Sequence, residues 1–73
     1  MNIKIEHWTS TGHSNWVLVD EDGQPIYRNA WALQKSTRKE AETLALHFAE
    51  ELGFTSINVE YWYKGERRFK QIK

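Results

Sequence analysis

One amphipathic segment, residues 37–53, constrains the fold of this chain more than any other stretch. Thr37 and Glu40 have the spacing of a capping box, in which each side chain bonds the backbone N–H of the other residue. The apolar residues that follow recur at helical spacing and form one stripe: Ala41, Leu44, Ala45, Phe48 and Leu52. Gly53 comes where a left-handed C-terminal cap is required. The sequence therefore predicts one helix over residues 37–53.

Three details around this helix stay open. Ser36 directly precedes Thr37 and is an alternative N-cap. Phe54 follows the C-cap and is placed to fold back over the last turn. Leu46 lies outside the apolar stripe, so it is either an ordinary exposed leucine or part of a contact surface.

Length and composition limit the chain to one small domain, residues 1–73. A domain of this size buries only about 60% of its unfolded surface, so we expect modest stability. The chain has no cysteine, which excludes disulfides and thiolate zinc sites and is compatible with a reducing cytoplasm, where we expect the protein. It has no long apolar run, so we expect no signal peptide, no spanning helix and no membrane association.

Alternating side chains predict strands before the helix. Residues 2–8 place apolar and polar side chains on opposite faces, with Ile3, Ile5 and His7 on one and Lys4, Glu6 and Trp8 on the other. Residues 15–20 are rich in β-branched and aromatic side chains, which favours a second strand. Asp22 and Gly23 then form a strong hairpin signal, and residues 24–31 are expected to return as a third strand with Pro25 near its start.

A second hairpin is expected after the helix. Residues 56–63 alternate, with Ile57, Val59, Tyr61 and Tyr63 on one face and Asn58, Glu60 and Trp62 on the other. Residues 64–66 suit a tight turn, and residues 67–73 are expected to return as a final strand. Phe69 and Ile72 have opposite parity in that strand, so one of them faces outward or the strand contains a bulge.

These elements predict a two-layer α+β fold of order βββαβ(β). An antiparallel three-stranded meander precedes the helix, and a C-terminal strand or hairpin follows it. The strand after the helix rejoins the sheet by a crossover, so it should run parallel to its neighbour. One helix covers one sheet face, and the other face is left to solvent or to a partner.

Three of these features also resemble known families. The run from Trp16 to Val19, the Asp22-Gly23 turn and the Thr37-x-x-Glu40-Ala41 cap together resemble the small arm-type DNA-binding domain of phage and transposon tyrosine integrases. This resemblance implies a three-stranded sheet that lies in the major groove and is backed by a helix. The same order is similar to the partial double-stranded-RNA-binding fold of HicB-type antitoxins. The chain departs from both, since residues 15–31 hold one basic residue against three acids and no cysteine is present. No functional residue is carried over from either family.

Motifs for catalysis, metals and cofactors are absent. Asp20-x-Asp22-Gly23 has no glutamate at the closing position of a calcium loop, so we interpret it as a hairpin turn. The three histidines, His7, His13 and His47, lack zinc-ligand spacing. No nucleophile elbow or phosphate loop occurs, and the glutamates suit a solvated helix surface. We therefore expect no cofactor, no metal ion and no enzymatic activity.

The predicted binding residues are aromatic and basic side chains near the C-terminus, together with Trp8. Residues 54–73 hold five basic against two acidic residues, although the whole chain has a formal net charge of zero. Single-stranded nucleic acid binds such interleaved surfaces through base stacking and phosphate contacts. The candidate residues are Trp8, Trp62, Lys64, Arg67, Arg68 and Lys70.

Two hypotheses follow for the function of this surface. The first is a nucleic-acid-binding module, which needs Arg67, Arg68 and Lys70 on the same side as Trp62. The second is a small protein-binding module of phage type, a regulator or inhibitor of a larger protein, that uses an exposed aromatic sheet face. Homodimerisation through that face is compatible with both. A purely structural alternative buries Tyr61, Tyr63 and one of Phe69 or Ile72, and uses the bases to protect an edge strand.

Overall fold

The computed structural model describes residues 1–73 as a small α+β protein with one helix packed on a mixed five-stranded sheet. The sheet has the order β5-β2-β1-β6-β7, and a separate two-stranded sheet pairs β3 with β4. The strands are β1 (Asn2–Ser10), β2 (His13–Val19), β3 (Tyr27–Arg28), β4 (Trp31–Ala32), β5 (Gln34–Lys35), β6 (Ser56–Tyr63) and β7 (Glu66–Gln71), and the helix is α1 (Arg38–Leu52).

Both predicted ends of the helix are confirmed. The Thr37 hydroxyl accepts a hydrogen bond from the Glu40 backbone N–H at 3.2 Å and donates one to the Glu40 carboxylate at 2.8 Å. Gly53 ends the helix with a φ of 73°, which is the left-handed conformation that glycine adopts without steric cost. The helix buries three alanines against the sheet: Ala41, Ala45 and Ala49. These short side chains let the helix backbone lie close to the strands.

Two antiparallel hairpins are joined by one parallel pairing. β1 pairs with β2 and β6 pairs with β7, both antiparallel, whereas β1 and β6 run parallel. The prediction that the strand after the helix is parallel to its neighbour is therefore confirmed. The tight turn before β7 is also confirmed, since Lys64 and Gly65 both have positive φ values. β7 is the predicted final strand, with Phe69 on one face and Ile72 on the other, and it continues the pairing of β6 without a bulge.

The predicted third strand of the meander, residues 24–31, is matched only in part. The turn at Asp22 and Gly23 forms, Pro25 bridges Val19, and the Ile26 N–H donates to the Leu18 carbonyl before the chain leaves the sheet. Pro25 occupies a position whose N–H would point away from β2, so the proline costs this ladder no hydrogen bond. Asn29, with a φ of 60°, then reverses the chain between β3 and β4. The Leu18 N–H then donates to the Leu33 carbonyl and β5 pairs with β2, so the third strand of the meander is interrupted by the β3–β4 hairpin.

The core lies between α1 and one face of the sheet. Its largest fully buried members on that face are Ile3, Ile5, Leu18, Ile57 and Val59. α1 lies closest to β1, β2 and β5, and Ile57 and Val59 of β6 join the same core cluster. The end of the β6–β7 hairpin is exposed on both faces, as the side chains of Trp62 and Tyr63 show. No helix in the structure is long and apolar enough to cross a membrane.

Candidate binding surfaces of the C-terminal hairpin

The register of the β6–β7 hairpin distributes the candidate residues over two faces. Trp62 lies opposite Arg67, whereas Arg68 lies opposite Tyr61. Lys70 lies opposite Val59, which is a core residue, so it shares the helix side of the sheet with Arg68. The first hypothesis requires all three bases on the side of Trp62, and this requirement is not met by Arg68 and Lys70. The two-residue turn fixes this register, because side chains alternate strictly along each strand.

We call the helix-side surface the tyrosine face; it consists of Tyr61, Tyr63, Arg68 and Lys70. Tyr63 is 48% exposed and Tyr61 is half-buried, so the structural alternative that buries both is correct only in part. The Arg68 guanidinium lies 5.0 Å from the centre of the Tyr63 ring, and the Lys64 ammonium lies 5.4 Å from the same point. This geometry is typical of cation–π contacts. The tyrosine face therefore combines an accessible ring with adjacent cations.

Most cations near the tyrosine face are free to bind an anionic ligand. Lys64 and Lys70 form no ion pair in the structure. Arg68 contacts Glu66 at 3.1 Å, but both side chains are about half-exposed or more, so water and salt screen this pair. A ligand with negative charge can compete for Arg68 at low cost.

The opposite surface, the tryptophan face, consists of Trp8, Trp62, Arg67 and Phe69. Arg67 is held there by two carboxylates, with Glu6 at 3.3 Å and Glu60 at 3.2 Å. Its guanidinium also lies 5.1 Å from the centre of the Phe69 ring. Trp62 is 60% exposed and Trp8 is 40% exposed. The tryptophan face is therefore aromatic, and its central cation is neutralised by neighbouring acids.

Glu60 links the two hairpins just beyond the point where their backbone pairing ends. Backbone pairing between β1 and β6 ends at Ile5 and Val59. Beyond this pair the Glu60 carboxylate accepts the backbone N–H of His7 and also contacts Arg67. Glu60 is only 2% exposed, so this charge depends on its two partners.

The two exposed tryptophans belong to different hairpins. The parallel register pairs Ile3 with Ile57 and Ile5 with Val59, and the same offset aligns Trp8 with Trp62. The Trp8 indole N–H donates to Glu6, which also binds Arg67 of the other hairpin. The side chains on the tryptophan face thus form one connected set across both hairpins.

The remaining aromatic residues lie elsewhere. Trp16 stacks on the His7 ring with centroids 4.5 Å apart, and His7 Nε2 shares a hydrogen bond with Ser14 Oγ. Trp16 also packs against the core, so it is on the helix side. Trp31 is exposed on the small β3–β4 sheet rather than on the tryptophan face. No group of three His, Cys, Asp or Glu side chains is placed to hold a metal ion.

One ion pair ties the small β3–β4 sheet to the helix. Arg28 Nε contacts Glu51 Oε2 at 2.6 Å, and the Arg28 guanidinium lies 4.8 Å from the centre of the Phe48 ring. The hydrogen bond from Arg28 lowers the pKa of Glu51 below its ordinary value, and the bond to Glu51 raises the pKa of Arg28. The pair therefore stays charged at neutral pH.

A further concave surface lies beside α1. It is an open groove of about 470 Å³ lined by Lys35, Lys39, Glu40, Thr43, Leu44 and His47. Leu46 is exposed elsewhere on the helix and does not line this groove. The polar side chains that line the groove lie on the surface, and none of them is a buried polar group that would define a ligand site.

Glu6 and Glu60 are the residues of these surfaces that sequence reasoning missed. Their parity places them on the side of Trp8 and Trp62, which is a signal that the sequence contains. Their shared contact with Arg67 depends on the pairing of β1 with β6, which the sequence pattern does not specify.

Comparison with protein-family models, with curated proteins and with solved structures gave no match.

Proposed function

We propose that this chain is a non-enzymatic binding module that takes single-stranded nucleic acid on its tyrosine face. The observation that carries the proposal is the accessible Tyr63 ring beside Arg68 and Lys64, at the exposed end of the β6–β7 hairpin. Unpaired bases stack on such rings, and each stack contributes about 1–3 kcal/mol. Lysine and arginine beside the ring then follow the phosphates.

The cations of this proposal differ from those of the original hypothesis. Arg67 is engaged by Glu6 and Glu60 on the opposite face, so it is not expected to contact phosphate. Lys64, Arg68 and Lys70 remain as the phosphate-binding set. Three phosphate contacts to a single strand predict a roughly twentyfold loss of affinity between about 50 mM and 200 mM salt.

The test is binding of labelled single-stranded and duplex oligonucleotides, measured by fluorescence anisotropy at both salt concentrations. Tyr63→Ala is expected to weaken single-strand binding by roughly fivefold or more, from the loss of one stack. Arg68→Ala/Lys70→Ala should weaken binding and flatten its salt dependence. Trp62→Ala is the matched control, because it removes a larger aromatic ring from the opposite face and should leave binding unchanged.

Two results would count against this proposal. Absence of single-strand binding at low salt removes it. Stronger binding to duplex than to single strand would instead support a sheet that lies in a groove, as the resemblance to arm-type integrase domains implies. Each variant must unfold at the same urea concentration as the wild type, so that a loss of binding cannot be explained by a loss of folding.

The tryptophan face favours a second candidate function, a protein-interaction module. Its central cation is neutralised by Glu6 and Glu60, and its two tryptophans are accessible. Tryptophan is among the residues that contribute most to protein–protein affinity. A protein partner captured by the wild type should be lost in Trp8→Ser/Trp62→Ser and retained in Arg68→Ala/Lys70→Ala. The reverse pattern would exclude this face, and sedimentation of the purified chain tests whether the partner is a second copy.

A further inference from the structure

We infer that the outer edge of β7 accepts an extended, acidic segment of a partner protein as an additional strand. β7 is the last strand on its side of the sheet. The Ile72 N–H donates to the Ile57 carbonyl, so even-numbered residues direct their backbone groups toward β6. Because this direction alternates along an antiparallel strand, the N–H and C=O of Arg67, Phe69 and Gln71 point away from the sheet.

The outer edge of β7 is long enough to pair with another strand. β7 has six residues without proline, whereas β5 at the opposite edge has only two. Proteins protect exposed edges by shortening them, by proline, by bulges or by charge. β7 relies on charge alone, because its pairing with β6 is continuous from Glu66 to Gln71. The basic side chains of β7 repel basic strands and attract acidic ones, so they determine which partner strand the edge accepts.

A second copy of this chain is a poor occupant of the edge. In an antiparallel pair of two β7 strands, a two-fold axis at Arg67, Arg68 or Lys70 places that residue opposite itself. An axis at Phe69 places Arg68 opposite Lys70 twice. Each of these registers sets two cations directly across from each other, which is destabilising. The sequence of β7 therefore disfavours antiparallel self-pairing in every register centred on residues 67–70.

An acidic strand removes this repulsion. Side chains directly opposite each other on adjacent strands are about 4.5–5.5 Å apart. Acidic residues at alternate positions of an added strand would lie beside Arg68 and Lys70, while the intervening residues would lie beside Phe69 on the other face. The partner is therefore an extended segment with alternate acidic and β-branched or aromatic residues. This proposal does not depend on nucleic-acid binding, because it requires the free backbone groups of the edge.

The experiment uses a labelled peptide of about six residues in which glutamate alternates with valine or threonine. A second peptide has the same sequence but carries N-methyl groups on the amides that would pair with β7. It retains the charge and cannot donate those hydrogen bonds. We expect the unmodified peptide to bind at least tenfold more tightly, and to protect the Phe69 and Gln71 amides from hydrogen exchange.

A substitution in the protein provides the reciprocal test. Gln71→Pro removes an outward N–H near the end of β7, and Gln71→Ala is its matched control. We expect Gln71→Pro to weaken peptide binding at least fivefold, whereas Gln71→Ala leaves it unchanged. Equal affinity for the two peptides would overturn the proposal, since charge alone would then explain binding. Protection of the Phe69 amide in the free protein at high concentration would also overturn it, because a second copy would then occupy the edge.

Discussion

Removal of the Glu60 carboxylate is expected to destabilise the protein strongly, although Glu60 lies outside the hydrophobic core. In Glu60→Ala the partly buried His7 N–H loses its acceptor, and leaving a buried donor unpaired costs about 1–3 kcal/mol. Arg67 also loses one of its two carboxylates. Arg67 is half-exposed and keeps Glu6, so this second loss is only about 0.5–1 kcal/mol. Together the two losses amount to roughly 1.5–4 kcal/mol.

This cost is large for such a small domain. At about 0.05–0.15 kcal/mol per residue, a chain of 73 residues has an unfolding free energy of roughly 4–11 kcal/mol. Urea unfolding followed by tryptophan fluorescence should show the effect. With a slope near 1 kcal/mol per molar urea, the midpoint should fall by roughly 1.5 M or more. Hydrogen exchange at the His7 amide should accelerate in the same variant.

Two further variants test the reasoning. Glu60→Gln keeps an acceptor oxygen for the His7 N–H but loses the charge that pairs with Arg67, so its cost should be intermediate. Glu66→Ala removes an exposed carboxylate that contacts Arg68, and its cost should stay within about 0.5 kcal/mol. If Glu60→Ala matches Glu66→Ala in stability, or if exchange at His7 is unchanged, then Glu60 does not hold the two hairpins together.

Two other predictions concern the helix and its attachment to the β3–β4 sheet. Gly53→Ala places a side chain at a φ of 73° and should cost about 1 kcal/mol, seen as a fall in Tm of about 4–8 °C; an unchanged Tm would contradict the assigned cap. The Arg28–Glu51 pair should stabilise the attachment of the β3–β4 sheet fully at any pH above the usual carboxylate pKa, because folding lowers the pKa of Glu51. This contribution should be lost as the pH falls through the lowered pKa. An acid titration of the Trp31 NMR signals should show this change in the wild type and not in Glu51→Gln, and identical titrations in both would refute it.

The features that could be predicted from the sequence are the local ones. The helix begins at Thr37 and ends at Gly53 because capping requires only neighbouring residues. The β6–β7 hairpin could be predicted because its turn and its alternation lie within a few residues of each other. The opposite placement of Trp62 and Arg68 also follows from alternation once the turn is known to contain two residues.

The features that could not be predicted depend on distant parts of the chain. The predicted return strand pairs with β2 only as far as Ile26, because residues 27–32 leave the sheet as a small hairpin that reverses at Asn29. The choice of β1 as the parallel neighbour of β6 is a tertiary pairing that no local pattern specifies. The burial of Glu60 depends on that pairing, because its partners come from β1 and β7.

The parallel pairing of β1 with β6 also has a consequence for the kinetics of folding. Each hairpin closes a short loop, whereas pairing Ile3 with Ile57 closes a loop of roughly 50 residues, at a larger entropic cost. Contacts this far apart in the chain slow folding, so joining the two hairpins is expected to be the rate-limiting step. During synthesis, β1 emerges first and keeps one edge unpaired until β6 has left the ribosome. The interval between these two events is when the nascent chain is most exposed to aggregation.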